Sequence, residues 1–202
     1  MSTRCSSQAT RFQRAVDRFD AVNAEDPNHE LVDGVSHPKE LVYGRRMTAR
    51  LDQFEPEASE AVRLATRAQH IRRWTMPRAD YPVGRDGYRR WRTDLGRFHA
   101  DTAMAILREV GYDADMVDRV GALLRKERLK MDSDAQLLED VICLVFLEHY
   151  LANFALKHDE EKLLGILRKT WRKMSQTGHR VALALDLPAD LRAMVERAIT
   201  GG

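Results

Sequence analysis

The chain has 202 residues, 44% hydrophobic and 32% charged, with Lys+Arg 33 against Asp+Glu 31 and a formal net charge of +2. That length supports one sizeable core, and that composition excludes a disordered chain. The near balance of charge excludes the strong basic excess of a dedicated nucleic-acid binder. With only 11 glycines and 6 prolines, long helices are expected rather than many short strands. The expected architecture is all-α: a single compact helical domain over residues 11–200, of about eight or nine helices, after a flexible N-terminus at residues 1–10.

In chain order, Phe12, Ala15, Val16, Phe19 and Val22 are spaced as one helix face, and Glu25-Asp26-Pro27 ends that helix. Residues 27–37 read as an irregular link containing Gly34, and no strand is predicted. Pro38 suits the first turn of a helix running from about Lys39 to Phe54, with Leu41, Met47, Leu51 and Phe54 inward. A third helix is expected from Glu57 to about Trp74, with a stripe of Ala61, Leu64, Ala65, Ala68 and Ile71. A break follows, rich in Pro, Gly and aromatic residues from Pro77 to Tyr88.

A fourth helix starts within Tyr88 to Arg92 and ends at Gly111, a C-terminal cap. Asp113 opens the next, which reaches about Lys130. Asp132-Ser133-Asp134 caps a helix from Ala135 to about Leu156, whose run VICLVFL has no polar side and is expected to be buried all round. Further helices are expected over about Glu160 to Gln176, Gly178 to Leu185 and Pro188 to Ile199. Cys5 reads as an exposed thiol and Cys143 as a small buried hydrophobe, not as a disulfide framework. No N-terminal apolar stretch resembles a signal peptide and no run is long enough to span a bilayer, so the expected location is the reducing cytoplasm.

Two features call for chemistry. Asp140 shares a face with Leu137, Leu144 and Leu147, on the helix expected to be most buried. An ionised carboxylate there costs several kcal/mol unless compensated by an arginine, backbone donors or a metal ion. Glu139 lies one step round the helix. The second feature is basic. Arg72, Arg73, Arg78, Arg85, Arg89, Arg90, Arg92 and Arg97 stand against only Asp80, Asp86 and Asp94, with Trp74, Tyr81, Tyr88, Trp91 and Phe98 interleaved. Guanidinium forks match phosphate or carboxylate oxygens, but the same pattern also serves as a solvated charged face or as arginine–tryptophan packing. His99 falls on the apolar face of Leu95, Ala103 and Ile106, a place for a core histidine or a ligand, and no HExxH or CxxC spacing links the seven histidines.

The segments YGRRMTARL, LATRAQHIRRW, FHADTAMAILREVGYD, VGALLRKERLK and LLEDVICLVFLEHYL, over about residues 41–156, resemble in order the motif helices of the HD-domain superfamily. Its members are helical, metal-dependent phosphohydrolases. The resemblance places His70 on the histidine of the His-Asp pair, with Ile71 in the aspartate's place, and Asp140 on the last acidic position. Tyr43 stands where the first histidine is usual. The resemblance implies a divalent metal (Mn, Zn, Co, Mg or Fe) held by His70, His99 and Asp140, or with Glu139 or Glu127 as a different third ligand. GRDGYRRW and LLEDVICLVFLEHY make the stretch from about Arg11 to Leu185 resemble, more closely, the uncharacterised domain of unknown function 4202.

The resulting expectation is a hydrolase in which Asp140, His70 and Glu139 carry catalysis on a nucleotide or other small phosphorylated metabolite. Arg46, Arg73, Arg85, Arg89, Arg92 and Lys126 would hold its phosphate. The alternatives are a non-catalytic anion- or nucleotide-binding protein that has lost the metal site, and a structural protein that binds a partner. Nucleic acid ranks below a small phosphorylated ligand, and a membrane partner is not expected.

Overall fold

The computed structural model describes residues 3–129 and 131–200, with side chains from residue 11 onward in those ranges. The chain divides into two compact units, Met1–Ala135 and Gln136–Gly202, and each is described by itself. Both are built mainly of helices, and no helix among the described residues is long and apolar enough to cross a membrane.

The first unit opens with α1 (Thr3–Asn23), eight residues earlier than the periodicity of its apolar face suggested. The side chains of the expected flexible segment 1–10, Cys5 included, lie outside the described residues. The irregular link expected next is instead an antiparallel hairpin of β1 (His29–Val32) and β2 (Val35–Pro38). Its two-residue turn, Asp33-Gly34, has φ of +50° and +79°. That pairing of left-handed residues matches the twist of the flanking strands, and Asp-Gly is the dipeptide that adopts it most readily. Alternation is weak in strands this short, which hid them from a periodicity reading.

α2 (Lys39–Phe54) begins where Asp26 fixes it: the Asp26 carboxylate accepts from the backbone N–H of Glu40 at 3.0 Å and of Asn28 at 2.9 Å. α3 (Glu60–Ala68) starts on Ser59, whose hydroxyl accepts from the Val62 N–H. It buries Val62, Leu64, Ala65 and Ala68 completely, and each large side chain so buried contributes about 1.5–3 kcal/mol. α3 stops six residues before the expected Trp74, because Arg72 turns left-handed (φ +51°) and gives its N–H to the side chain of Asn23.

Two short 3-10 turns follow, then α4 (Arg85–Val110) and α5 (Ala114–Leu124). α4 packs along α5, and α1, α2 and α5 surround α3. The ends of α4 and α5 close in the same way. After α4, Tyr112 N–H reaches the Leu107 carbonyl and Gly111 N–H that of Arg108; after α5, Glu127 N–H reaches Ala122 and Lys126 N–H reaches Leu123. Both are Schellman caps, whose left-handed position is usually glycine. Gly111 fills it in the first, and Lys126 (φ +58°) fills it in the second. That cap ends α5 short of the expected Lys130, which itself lies outside the described residues.

The unit boundary falls in the first turn of α6 (Ser133–Val145), whose N-terminus is capped by the Asp132 carboxylate accepting from Asp134 and Ala135 N–H. The second unit continues from α6 through one π-helical turn (Phe146–Tyr150) into α7 (Leu151–Ala155), so the long helix expected at Ala135–Leu156 is one rod with a widened turn inside it. Its VICLVFL stretch is buried except that Ile142 and Phe146 are half-buried. Then come α8 (Glu160–Trp171), α9 (Gln176–Leu183) and α10 (Ala189–Thr200), with α10 packed on α8. Counting α6 and α7 as one rod gives nine helices among the described residues, within the eight or nine expected.

Candidate functional site

The start of α2, the end of α3 and the middle of α4 bring three polar side chains together in the first unit. Glu40, Tyr43 and Met47 share the buried face of α2. Glu40 is 4% exposed, and its Oε2 lies 3.1 Å from His70 Nδ1, while Arg73 Nη1 stands 3.8 Å from Oε1. The Tyr43 ring stacks on the His70 imidazole, with centroids 3.8 Å apart and planes within 10°. The left-handed turn at Arg72 also sets the preceding backbone. It leaves the Ile71 carbonyl 2.7 Å from His99 Nδ1, on α4.

That contact assigns the tautomer of His99. A carbonyl only accepts, so Nδ1 carries the hydrogen and Nε2 keeps a bare lone pair. Burial, followed by the neighbouring His70, pushes the His99 pKa down to about 3, so the ring is neutral near pH 7. His70 is also held well below the usual histidine range, by burial first and then by Arg73, Arg92, Lys126 and Lys39. Burial raises the Glu40 carboxyl, against the pull of Arg73. With Glu40 ionised, His70 Nδ1–H donates to it. The two imidazoles lie 5.9 Å apart.

Both histidines line a cleft of about 370 Å³, together with Gln69, Arg92, Arg97, Arg125, Lys126 and Glu127. Among the described residues the one acid lining it, Glu127, is bound by Arg125 Nε at 2.7 Å. Arg92 and Arg97 make no ion pair among the described residues. His99 Nε2 is buried and meets no hydrogen-bond partner among them. The cleft therefore combines a cationic wall with neutral imidazoles and a buried acceptor that meets no donor among the described residues.

Of the expected anion-binding residues, Arg92 and Lys126 line this cleft and Arg73 stands beside it against Glu40. Arg73 also lies over the Trp91 ring at 5.2 Å. Arg46 pairs with Glu30 of the hairpin at 2.5 Å. Arg85 and Arg89 are exposed on the first turns of α4 and do not line the cleft. Arg78 braces the loop before α4, donating to the Tyr81 and Pro82 carbonyls at 2.8 Å. The arginine-rich segment is thus partly structural. Glu40 and Gln69 escaped the sequence reading. Glu40 carried a signal, an acid three residues before Tyr43 and seven before Met47 on an apolar face.

Asp140 and Glu139 belong to the second unit. Asp140 Oδ1 accepts from the Ser175 N–H at 2.7 Å and from Gln136 Nε2 at 3.2 Å, and Oδ2 accepts from the Ser175 hydroxyl at 2.5 Å. Ser175 in turn caps α9, its hydroxyl accepting from Gly178 N–H at 3.0 Å. The carboxylate lies so close to α9 that a Cβ on Gly178 would come within 2.7 Å of Oδ1. Among the compensators open at the sequence level, backbone and hydroxyl donors hold this acid. Glu139 is 2% exposed, and Lys173 Nζ lies 3.3 Å from its Oε1.

This bears on the metal that the superfamily resemblance implies. Asp140 accepts three hydrogen bonds, from the Ser175 N–H, the Ser175 hydroxyl and the Gln136 amide, so its carboxylate is held without calling on a metal ion. No group of three or more His, Cys, Asp or Glu side chains that could hold a metal ion occurs among the described residues.

No curated protein and no solved structure matches the chain significantly. A family model does match, over residues 13–195, and so covers most of both units. The chain belongs to the family described as Domain of unknown function (DUF4202).

Proposed function

We propose that the cleft of the first unit binds the phosphate group of a small phosphorylated ligand without a metal ion. One observation carries the reading: Arg92 and Arg97, which make no ion pair among the described residues, line the cleft beside Arg125 and Lys126. Guanidinium groups match phosphate oxygens in pairs, and such charge-assisted bonds are about twice as strong as neutral ones. The histidines of the floor add no acid to oppose the phosphate. The metal-dependent hydrolysis implied by the superfamily resemblance is the weaker proposal, because Asp140 spends its oxygens on the cap of α9.

The test is thermal unfolding in the presence of EDTA, with millimolar orthophosphate, AMP or ribose 5-phosphate. A ligand at 100 times its Kd stabilises the folded chain by about 2.7 kcal/mol. Stabilisation that Arg92→Ala cuts to about half is the expected result. No stabilisation by any of the three would sink the reading. Ester hydrolysis that appears only with Mn²⁺ and vanishes in Asp140→Asn would restore the metal-dependent one.

A further inference from the structure

We infer that the ligand of this cleft is a phosphate ester that also carries a hydroxyl or amine donor, and that this donor hydrogen-bonds to His99 Nε2. The inference rests on the phosphate reading above and adds the chemistry of the ligand's other end.

His99 Nδ1–H is committed to the Ile71 carbonyl at 2.7 Å. Nε2 is therefore an acceptor, and it stays one because the ring is neutral. The residue is 3% exposed, lines the cleft, and receives no donor from any described residue. A buried polar atom left unpaired is costly, so a donor from outside the protein is favoured there. The dianionic phosphate group of an ester cannot supply it, since its oxygens only accept, and their charge would face the lone pair. The phosphate is drawn to the cationic wall, and the imidazole selects a second group with a hydrogen to give. Gln69, on the same cleft, has a buried Oε1 that likewise meets no donor among the described residues. Two acceptors of this kind suit a polyol or amino alcohol better than a plain alkyl chain.

The experiment compares two probes that share a phosphate and differ in their hydroxyls. Glycerol 3-phosphate and n-propyl phosphate are titrated calorimetrically into the full chain with EDTA present. The ¹⁵N resonance of His99 Nε2 is followed in the same titrations. The expected result is binding of glycerol 3-phosphate about 10-fold tighter or more, since a site built to bond a hydroxyl rejects the analogue that lacks it. The Nε2 resonance is expected to move with glycerol 3-phosphate and not with n-propyl phosphate. His99→Leu is expected to bring the two affinities together.

Equal affinities, or an Nε2 resonance indifferent to the hydroxyls, would overturn the inference and leave phosphate binding standing; water would then serve the imidazole. Failure of both probes and of orthophosphate to bind would overturn both readings.

Discussion

His99 in the first unit and Asp140 in the second occupy similar places and end in opposite states. Each is a polar residue on a helix face otherwise made of leucine, isoleucine or alanine, and they are 3% and 2% exposed. Asp140 has donors on both oxygens, supplied by Ser175 and Gln136. His99, which lines the cleft, has one nitrogen satisfied by Ile71 and the other without a donor among the described residues. Burial of a polar group therefore does not by itself mark a functional residue. A group the fold has completed acts as a structural joint, whereas one the fold has left incomplete awaits something else.

The largest test of this contrast is Asp140→Ala. It would leave the Ser175 N–H, the Ser175 hydroxyl and the Gln136 amide without their acceptor and loosen the cap of α9. A loss of about 3 kcal/mol is expected, read by urea denaturation. A loss under 1 kcal/mol would mean that the carboxylate is not the joint described here.

Next in size is the acid response of His99. Its folded pKa is about 3, below the ordinary 6.5. The folded chain thus takes up that proton less readily than the unfolded chain. The stability this gives is present above about pH 6.5 and is lost as pH falls toward 3. Between pH 6.5 and 5 the loss is about 2 kcal/mol. His99→Leu is expected to flatten that part of the stability–pH curve, with His70, Glu40 and Arg73 kept in place as the charged and titrating neighbours. An unchanged slope would place the acid sensitivity elsewhere.

A smaller effect is expected at Lys126. A non-glycine residue in the left-handed region costs about 1–2 kcal/mol, part of which glycine returns through its freer unfolded chain. Lys126→Gly should therefore stabilise the protein by about 1 kcal/mol while weakening phosphate binding. Smallest for stability is Arg92→Ala, expected to stay within about 0.5 kcal/mol of the parent while lowering phosphate affinity roughly 10-fold. A large stability loss there would make Arg92 a packing residue instead.

Much of the fold was legible because its signals are local. Pro38 opens α2, which runs over Lys39–Phe54 as expected, and Gly111 closes α4. The capping signal at Asp132 opens α6. What escaped depends on partners distant in sequence. Arg72 ends the α3 region because Asn23, 49 residues earlier, takes its N–H. Asp140 is completed by Ser175, 35 residues later. Periodicity places a side chain on a face but does not say which donor waits there. The candidate site shows the same division. His70, His99, Arg92 and Lys126 were visible as residue types, whereas Glu40 gains its meaning only when the hairpin and Asp26 bring the start of α2 to His70.

The two Schellman caps of the first unit give residue 126 a diagnostic use. At Gly111 the chain takes the inexpensive residue for a left-handed corner, and at Lys126 it keeps a charged side chain in the same backbone state. Stability alone would favour glycine at both corners. A related chain released from the demands of the cleft would therefore be expected to drift toward glycine at the second corner, so the side chain found there reports whether the pocket beside it is still in use.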